Sequence, residues 1–572
     1  MRWFRRTVRE IAPDEIFLDS SNLPDYEASQ FEGRVMKRLG SRPVIGVGIV
    51  FFLVVVGFSI RVFSLEVLQG SLYAHVSRDN TLEHSVLFAA RGLIMDRNGT
   101  ELAWNEVASS TMRSLPEDKT QSDAFALRRY TDLPGFSHIL GFVQYPKADA
   151  AGTWWRESYT GISGAELAFD DVVGGANGRS MIERDARGDI QRANIVSPPR
   201  DGGDLKLSID SDVQSTLYSM LSTHARTQGF QGGAAVIMDV HTGELLALTS
   251  FPEYDNQAFT DGVSSIVHAV SNDRRTPMLN RAVSGLYVPG SIVKPIFAAA
   301  ALNEKIISPE KEILSTGAIT LPNPYNPDLP SVFRDWTVHG LVDMRTAIAV
   351  SSDEYFYTIG GGYKGQKGLG ITKIDEYARR FGLGELTGVI LKGEEEGVIP
   401  TPEWKTEVFG PDDPWRIGNT YHTAIGQYGF QITPIQAAVF TAAIANGGKR
   451  VIPTLVASST PRYRGDVGVP DEYLQIVREG MRMAVTSSRN DATVKALHIP
   501  EVHIAAKTGT AQLGVRNESM NSWSVGYWPS EKPRFAYAVV LERAPAGTLS
   551  GASPALLPFF RWLAENHPEY IE

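Results

Sequence analysis

Pro289-Gly290-Ser291-Ile292-Val293-Lys294-Pro295-Ile296-Phe297-Ala298-Ala299-Ala300-Ala301-Leu302 is the stretch on which the reading of this chain turns. A serine and a lysine stand three residues apart at the head of an apolar run. If that run is a helix, positions i and i+3 share a face, so the lysine amine can reach the serine hydroxyl. A helix start also favours negative charge, because its first N–H groups are unpaired and its dipole is positive there. The pairing makes a nucleophile with a base attached. Its plain reading is a helix N-cap followed by a solvated first-turn lysine. A chain of 572 residues contains Ser-x-x-Lys about once or twice by chance. Ser308-Pro309-Glu310-Lys311 is such a copy, with no apolar run behind it.

Two further signals lie downstream. Ser351-Ser352-Asp353 closes the apolar segment Met344–Val350, and Lys507-Thr508-Gly509-Thr510 follows Val502-His503-Ile504-Ala505-Ala506, which reads as a buried strand. In that order they match the S-x-x-K, S-D-N and K-T-G set of serine acyl-enzymes, with aspartate replacing the last asparagine of the second motif. Read singly, Lys507–Thr510 is an ordinary strand end and Asp353 a loop-ordering residue. Ser488-Arg489-Asn490 is a rival Ser-x-Asn. A Ser-His-Asp hydrolase has little support, since no G-x-S-x-G elbow exists and His339, His422 and His503 have no motif pairing them with a serine.

With 572 residues, two or three domains are expected. Composition is globular, at 43% hydrophobic and 21% charged residues, and a net charge of -10 gives no reason to expect nucleic acid. The absence of cysteine excludes disulfides, thiolate catalysis and Cys-ligated zinc. Residues 44–63 form the only stretch of membrane length, with 17 uncharged residues from Val44 to Ile60 before Arg61. No small-residue cleavage site follows it, so an anchor is favoured over a signal peptide, a buried core helix being the plain alternative. Arg34, Lys37, Arg38 and Arg42 precede it, which places residues 1–43 in the cytoplasm and the rest outside.

After the span, Arg91–Ala103 reads as strand, Asn-Gly turn, strand, and Ala234–Ser250 as a second hairpin turning at His241–Glu244. Helical stretches follow at 296–303, 344–350 and 436–446, and strands at 502–506, 521–527 and 535–541. Strands at both ends with helices between predict an α/β domain whose sheet draws on both chain ends.

The motifs, with Arg91–Gly99, Arg129-Tyr130, His138–Val143, Gly161–Glu166 and Leu207-Ser208-Ile209-Asp210, make the chain resemble the class B penicillin-binding proteins, the peptidoglycan D,D-transpeptidases. Pro400–Lys405, Trp415, Gly418-Asn419-Thr420, Ile425-Gly426-Gln427, Thr433-Pro434, Phe333–Trp336 and His339-Gly340 resemble the elongation-specific members rather than the division type. The resemblance implies an α/β (α+β) transpeptidase domain, 206–572, with helices flanking its sheet, after an elongated β-rich pedestal of dimerisation type, 64–205, and one transmembrane helix. Only 22 residues separate Asn105 from Arg128, where the family inserts a larger head.

By resemblance Ser291 is the acylated nucleophile, Lys294 its base, Ser351 a proton relay, Asp353 the third corner of that motif and Lys507 a source of positive charge. Thr508 and Thr510 would hold the substrate's carboxylate, and Gly509 would let its backbone approach. The backbone N–H groups of Ser291 and Thr510 would form the oxyanion hole. Lys294 must be neutral to act, and a carboxylate at 353 would hold it charged unless substrate binding or other contacts offset it. Implied ligands are D-Ala-D-Ala stem peptides as donor, an amine acceptor and β-lactam inhibitors. Implied partners are the membrane, a SEDS-type glycan polymerase and a rod-complex scaffold, with the catalytic domain outside the bacterial inner membrane. Some members hold a metal near the serine–aspartate motif through a cysteine; this chain has none, so neither metal nor cofactor is expected. Competing functions are a division-type transpeptidase, a membrane-anchored β-lactam receptor without turnover, and a β-lactamase or carboxypeptidase that admits water.

Overall fold

A computed structural model describes residues 41–69, 81–106, 125–150, 153–184, 190–323, 326, 328–457, 460–514 and 516–572. The expected tail up to residue 40 and most of the shortened head, 107–124, lie outside them. The chain divides into two compact units. One takes in the described residues up to His84 together with Met181–Asn194; the other holds Ser85–Ser180 and Ile195–Glu572.

In the first unit, Ser41–Phe63 forms helix α1, and a π-helical turn at Ser64–Leu68 continues it beyond the expected end at 63. The stretch Ile45–Leu68 is long and apolar enough to cross a membrane, and none of it is buried. A helix that is apolar all round and covered by no protein suits a hydrocarbon surround.

The second unit is built around a five-stranded antiparallel sheet. Its strands are β1 (Gly232–Asp239), β2 (Leu245–Phe251), β3 (Ala505–Leu513), β4 (Ser519–Trp528) and β5 (Phe535–Pro545), in the order β2-β1-β5-β4-β3. The chain's later strands thus complete a sheet begun three hundred residues earlier, as the pattern of strand runs implies. Ile504 and its two predecessors fall outside β3, where Val502 makes only an isolated bridge to Ile499.

Successive residues of each strand face opposite sides. Val236, Leu248, Trp523 and Val540 enter one buried cluster, and Ile237, Ala247, Trp528 and Leu541 the other. Helices α2 (Ser211–Gln228) and α9 (Ala552–Asn566) cover the second side with Leu217, Leu221, Phe559 and Phe560. The first side carries an all-helical layer: α3 (Lys294–Asn303), α4 (Met344–Val350), α5 (Asp353–Gly361), α6 (Ile417–Ala424), α7 (Pro434–Ala445) and α8 (Asp471–Thr486). α7 is buried at every position, which explains why it shows no amphipathic stripe.

The expected first hairpin exists, as strands Ile94–Met95 and Glu101–Glu106 around the Asp96–Thr100 turn. Asp96 Oδ1 accepts from the N–H groups of Asn98 and Thr100, while Oδ2 accepts from Ser211 at the start of α2. Asn98 in turn donates to Asp210, the α2 N-cap. Leu205–Lys206 adds to this small sheet in parallel with Ile94–Met95, tying the hairpin to the segment that leads into α2. Nearby, Arg91 and Arg128 both pair with the fully buried Glu166.

Phe297 is fully buried on α3, directly behind the Ser291 turn. Phe297→Ala is expected to cost about 3–5 kcal/mol by the cavity it leaves, read from chemical denaturation. Leu314→Ala, at a side chain 59% exposed, should change stability by about 0.5 kcal/mol or less.

Candidate active site

Ser291 lies on a single 3₁₀ turn, Gly290–Val293, and α3 begins only at Lys294 with Pro295 next. The serine caps no helix, and among the described residues its hydroxyl makes no hydrogen bond. Its turn is held by backbone contacts instead. Gly290 N–H donates to Gly426 O at 2.9 Å, Tyr287 exchanges two backbone bonds with Ile432, and the Trp523 indole donates to Val288 O at 3.0 Å. Gly426, at φ +75°, permits that approach, since a Cβ there would lie 2.1 Å from Gly290 O.

The lysine does not turn back to Ser291 as the i, i+3 spacing predicts. Lys294 Nζ donates to Asp353 Oδ1 at 2.6 Å and to Ser351 O at 2.7 Å, with Ser351 Oγ at 3.3 Å. It is fully buried beneath the Phe356 ring, 5.4 Å away. The Ser351 turn and the Asp353 carboxylate, 57 and 59 residues away, take the amine's hydrogen bonds, which spacing alone does not reveal.

Ser351 ends α4 in the left-handed region, at φ +59°. That conformation is unfavourable for a residue with a Cβ and marks a site held in place by its surroundings. It brings the Ser351 hydroxyl between two lysines: Lys507 Nζ is 2.7 Å from it. Lys507 is fully buried, and burial followed by the neighbouring Lys294 ammonium pushes its pKa well below the usual lysine value, while Asp353 pulls the other way.

Along β3, Lys507, Gly509 and Ala511 point inward, while Thr508, Thr510 and Gln512 are partly or fully exposed. A Cβ on Gly509 would come within 2.7 Å of Pro289 O and 2.9 Å of Ile292 Cγ2, so the glycine also admits the Ser291 turn. Likewise a Cβ on Gly290 would come within 2.7 Å of Thr510 O. These close approaches bring the backbones of Ser291 and Thr510 to one end of a cleft of about 850 Å³. Ser291, Ser351, Asp353, Thr508, Gly509 and Thr510 all line it, and Lys294 and Lys507 lie behind its wall.

Several lining residues carry no role in the sequence reading. Asp335 is the support of the Ser351 turn: its Oδ2 accepts from Ser352 Oγ at 2.8 Å and Glu354 N at 2.9 Å. Burial acts to raise its pKa, but the His339 hydrogen bond, the Lys294 charge and backbone N–H groups outweigh this and bring it down to about 2. Trp336 Nε1 donates to Val350 O, and Gln427 Nε2 to Thr510 O. His422 shares the cleft between the Phe333 and Tyr357 rings, and burial lowers its pKa against the pull of Asp353. The caps around the cleft, Asp343, Ser352, Thr401 and Thr433, each accept from a backbone N–H three residues on and so leave a readable local signal.

Of the rival motifs, Ser308 and Lys311 bond to surface neighbours Glu310 and Gln366, while Arg489 pairs with Asp491 and donates to His339 O. No histidine side chain meets a serine hydroxyl among the described residues. Near the Ser351 turn, His339 Nε2 faces Asp335 Oδ1 at 3.5 Å while Asp491 takes its Nδ1. One imidazole and the two carboxylates of Asp335 and Asp491 fall short of the four-ligand set of a structural zinc, so these residues do not fit that metal. The three-residue grouping Asp210, Asp212 and His567 is far from a free site, because Asp210 is already committed to Asn98, Tyr570 and the α2 cap.

Two substitutions probe this geometry. Gly509→Ala should force the Ser291 turn away from β3 and lower acylation by a labelled penicillin by about tenfold or more, with a reduced melting temperature. Asp335→Ala, which strips the Ser351 turn of its anchor, should lower acylation by a similar factor while Asp335→Asn retains part of it, because an amide oxygen still accepts.

The penicillin-binding protein transpeptidase domain matches residues 233–561, more than half of the chain, and the penicillin-binding protein dimerisation domain matches 121–207. The peptidoglycan D,D-transpeptidase MrdA of Acinetobacter baumannii is 32% identical over 75% of this chain and 65% of its own length. MrdA of Escherichia coli is 27% identical over 86% of this chain and 89% of its own. Among solved structures, the complex between penicillin-binding protein PBP2 and MreC from Helicobacter pylori matches at 26% identity. Its TM-score is 0.68, and it covers 86% of this chain and 100% of that one. With the three motifs gathered in one cleft and both domains matched in order, the chain belongs to the class B penicillin-binding proteins.

Proposed function

We propose that this protein is a serine D,D-transpeptidase that cross-links peptidoglycan stem peptides during cell elongation. The observation that carries this reading is the convergence of Ser291, Ser351 and the Thr508–Thr510 strand on one cleft, with two lysines buried behind it. Ser291 attacks the carbonyl of the penultimate D-alanine, expels the terminal D-alanine and holds the acyl group as an ester. The amine of a second stem then takes the acyl group. A serine hydroxyl is a weak nucleophile and needs a base; the Lys294–Ser351–Lys507 cluster supplies it. Thr508 and Thr510, on the open face of β3, receive the donor's carboxylate, and the N–H groups of Ser291 and Thr510 receive the developing oxyanion. β-Lactams acylate the same serine.

On this reading residues 64–205 form the pedestal and 206–572 the transpeptidase domain. α1 anchors the chain in the inner membrane with residues 1–43 in the cytoplasm and the cleft outside. The relatives' names support elongation over division, and the relative solved with MreC supports a rod-complex scaffold as partner. A SEDS-type polymerase follows from the family resemblance.

The test is to label the full-length chain in detergent with a fluorescent penicillin. Ser291→Ala should abolish labelling, and the wild-type label should persist over many minutes. Rapid loss of label would instead identify a β-lactamase, and labelling that survives the substitution would remove Ser291 from the reaction. Added D-amino acid should capture the acyl group from a thioester donor, which a receptor without turnover cannot do.

A further inference from the structure

Tyr428 adopts a backbone conformation that its side chain disfavours. Its φ is +61°, in the left-handed region, where a ring-bearing residue is an outlier. Gly429 follows at φ +77°, and there the need is plain, since a Cβ would meet the Trp404 ring at 2.2 Å. At 428 the turn alone would be met by glycine or asparagine with less strain. Strain of this kind persists where a functional site makes use of it. Tyr428 lines the cleft that holds Ser291.

The ring is held firmly. Trp404 and Trp415 meet it edge-to-face, with centroids 6.0 and 5.7 Å away, and the buried Lys405 ammonium stands 5.9 Å over it. Lys405 is fixed in turn by Pro414 O, Asn419 Oδ1 and the Asp413 carboxylate, and the Trp415 indole donates to Thr420 Oγ1. The ring is nonetheless only half-buried, and among the described residues its hydroxyl makes no hydrogen bond. Gly426 O accepts from Gly290 N–H, and Gln427 Nε2 donates to Thr510 O. Residues 426–428 thus run from the nucleophile's turn, past the Thr510 backbone, to a rigid aromatic ring.

We infer that the Tyr428 ring is a specificity-determining contact for the donor's side chain at the residue preceding the reacting D-alanine. The inference rests on the transpeptidase reading. In that reading the donor's carboxylate lies on Thr508 and Thr510 and its carbonyl oxygen on the Thr510 N–H. An extended stem rises about 3.3 Å per residue, as β3 does. The preceding residue therefore lies past Thr510, toward Gln512, which also lines the cleft. The charged lining residues Arg334, Asp335 and Asp353 come from other segments, so Tyr428, Gln427 and Gln512 present an uncharged wall. Such a wall suits a neutral aliphatic or aromatic group packed on the ring. In a penicillin the acylamino group hangs on the carbon beside the reacting carbonyl, where the preceding residue joins D-alanine in the stem. The same contact therefore reads the penicillin's side chain.

Two penicillins that differ only in that group, one carrying phenylacetyl and the other acetyl on the same nucleus, test the contact. Their second-order acylation rates are measured on the full-length chain in detergent by competition with a fluorescent penicillin, with melting temperatures to confirm folding. The wild type should prefer the phenylacetyl compound. Tyr428→Gly and Tyr428→Asn both tolerate the left-handed backbone and lack the ring, and each should reduce that preference about tenfold. Tyr428→Phe keeps the ring and should hold the preference to within about twofold. A general loosening of the site slows both compounds by the same factor and leaves the ratio unchanged, so an unchanged ratio in a folded ring-less variant overturns the inference. So does a preference lost in Tyr428→Phe, which would place the contact on the hydroxyl. The wild-type preference needs no variant to fold, and a chain indifferent to the two side chains overturns the inference as well. Absence of Ser291-dependent labelling in the wild type removes the transpeptidase reading itself, whereas normal labelling with an unchanged ratio removes only the role of Tyr428.

Discussion

The Ser351 hydroxyl is the point through which the charges of this site communicate. It lies within hydrogen-bond reach of both buried lysines, and it does so because its backbone adopts a left-handed conformation that closes α4 and starts α5. That conformation is unfavourable for serine and has to be imposed. Asp335 imposes it from one side through Ser352 and Glu354, and Trp336 from another through Val350 O. Burial and the neighbouring Lys294 charge then lower the proton affinity of Lys507, against the pull of Asp353. The site therefore depends on a backbone strain paid for by a network of neutral and ionic hydrogen bonds.

The sheet serves this arrangement by bringing distant segments together. β3 arrives more than two hundred residues after Ser291, yet Gly509 and Gly290 let the two backbones touch, and Gly426 fits against the same turn. A side chain at any of these three positions would collide with a neighbouring backbone carbonyl, of Pro289, Thr510 or Gly290. The fully buried α3 and α7 behind them form a stiff support, since a packed interior transmits displacement rather than absorbing it.

Much of this was legible in the residues. The strand runs at 234–250, 502–506, 521–527 and 535–541 imply a sheet from both chain ends, the Asn98-Gly99 turn specifies a hairpin, and the three motifs fall in the order their chemistry requires. What remained hidden was geometry set by contacts remote in sequence. The Ser-x-x-Lys spacing predicts a direct serine–lysine contact, but the hydrogen bonds of Lys294 go to Asp353 and Ser351, residues remote in sequence. The strand position of Gly509 gives no sign that the Ser291 turn packs against it. Asp335 carries no cap pattern, because the groups it binds lie 17 and 19 residues away. The charge of Lys507 depends on Lys294 and Asp353, which local sequence does not place beside it.

The most direct test of the account is the crystal structure of the acyl-enzyme formed with a penicillin. The account predicts an ester on Ser291 Oγ, its carbonyl oxygen between the N–H groups of Ser291 and Thr510, and the drug's carboxylate on Thr508 and Thr510. Lys294 should remain on Asp353, with Ser351 between it and Lys507. A carbonyl oxygen pointing away from Thr510, or a drug carboxylate bound by an exposed Lys507 ammonium, would contradict it.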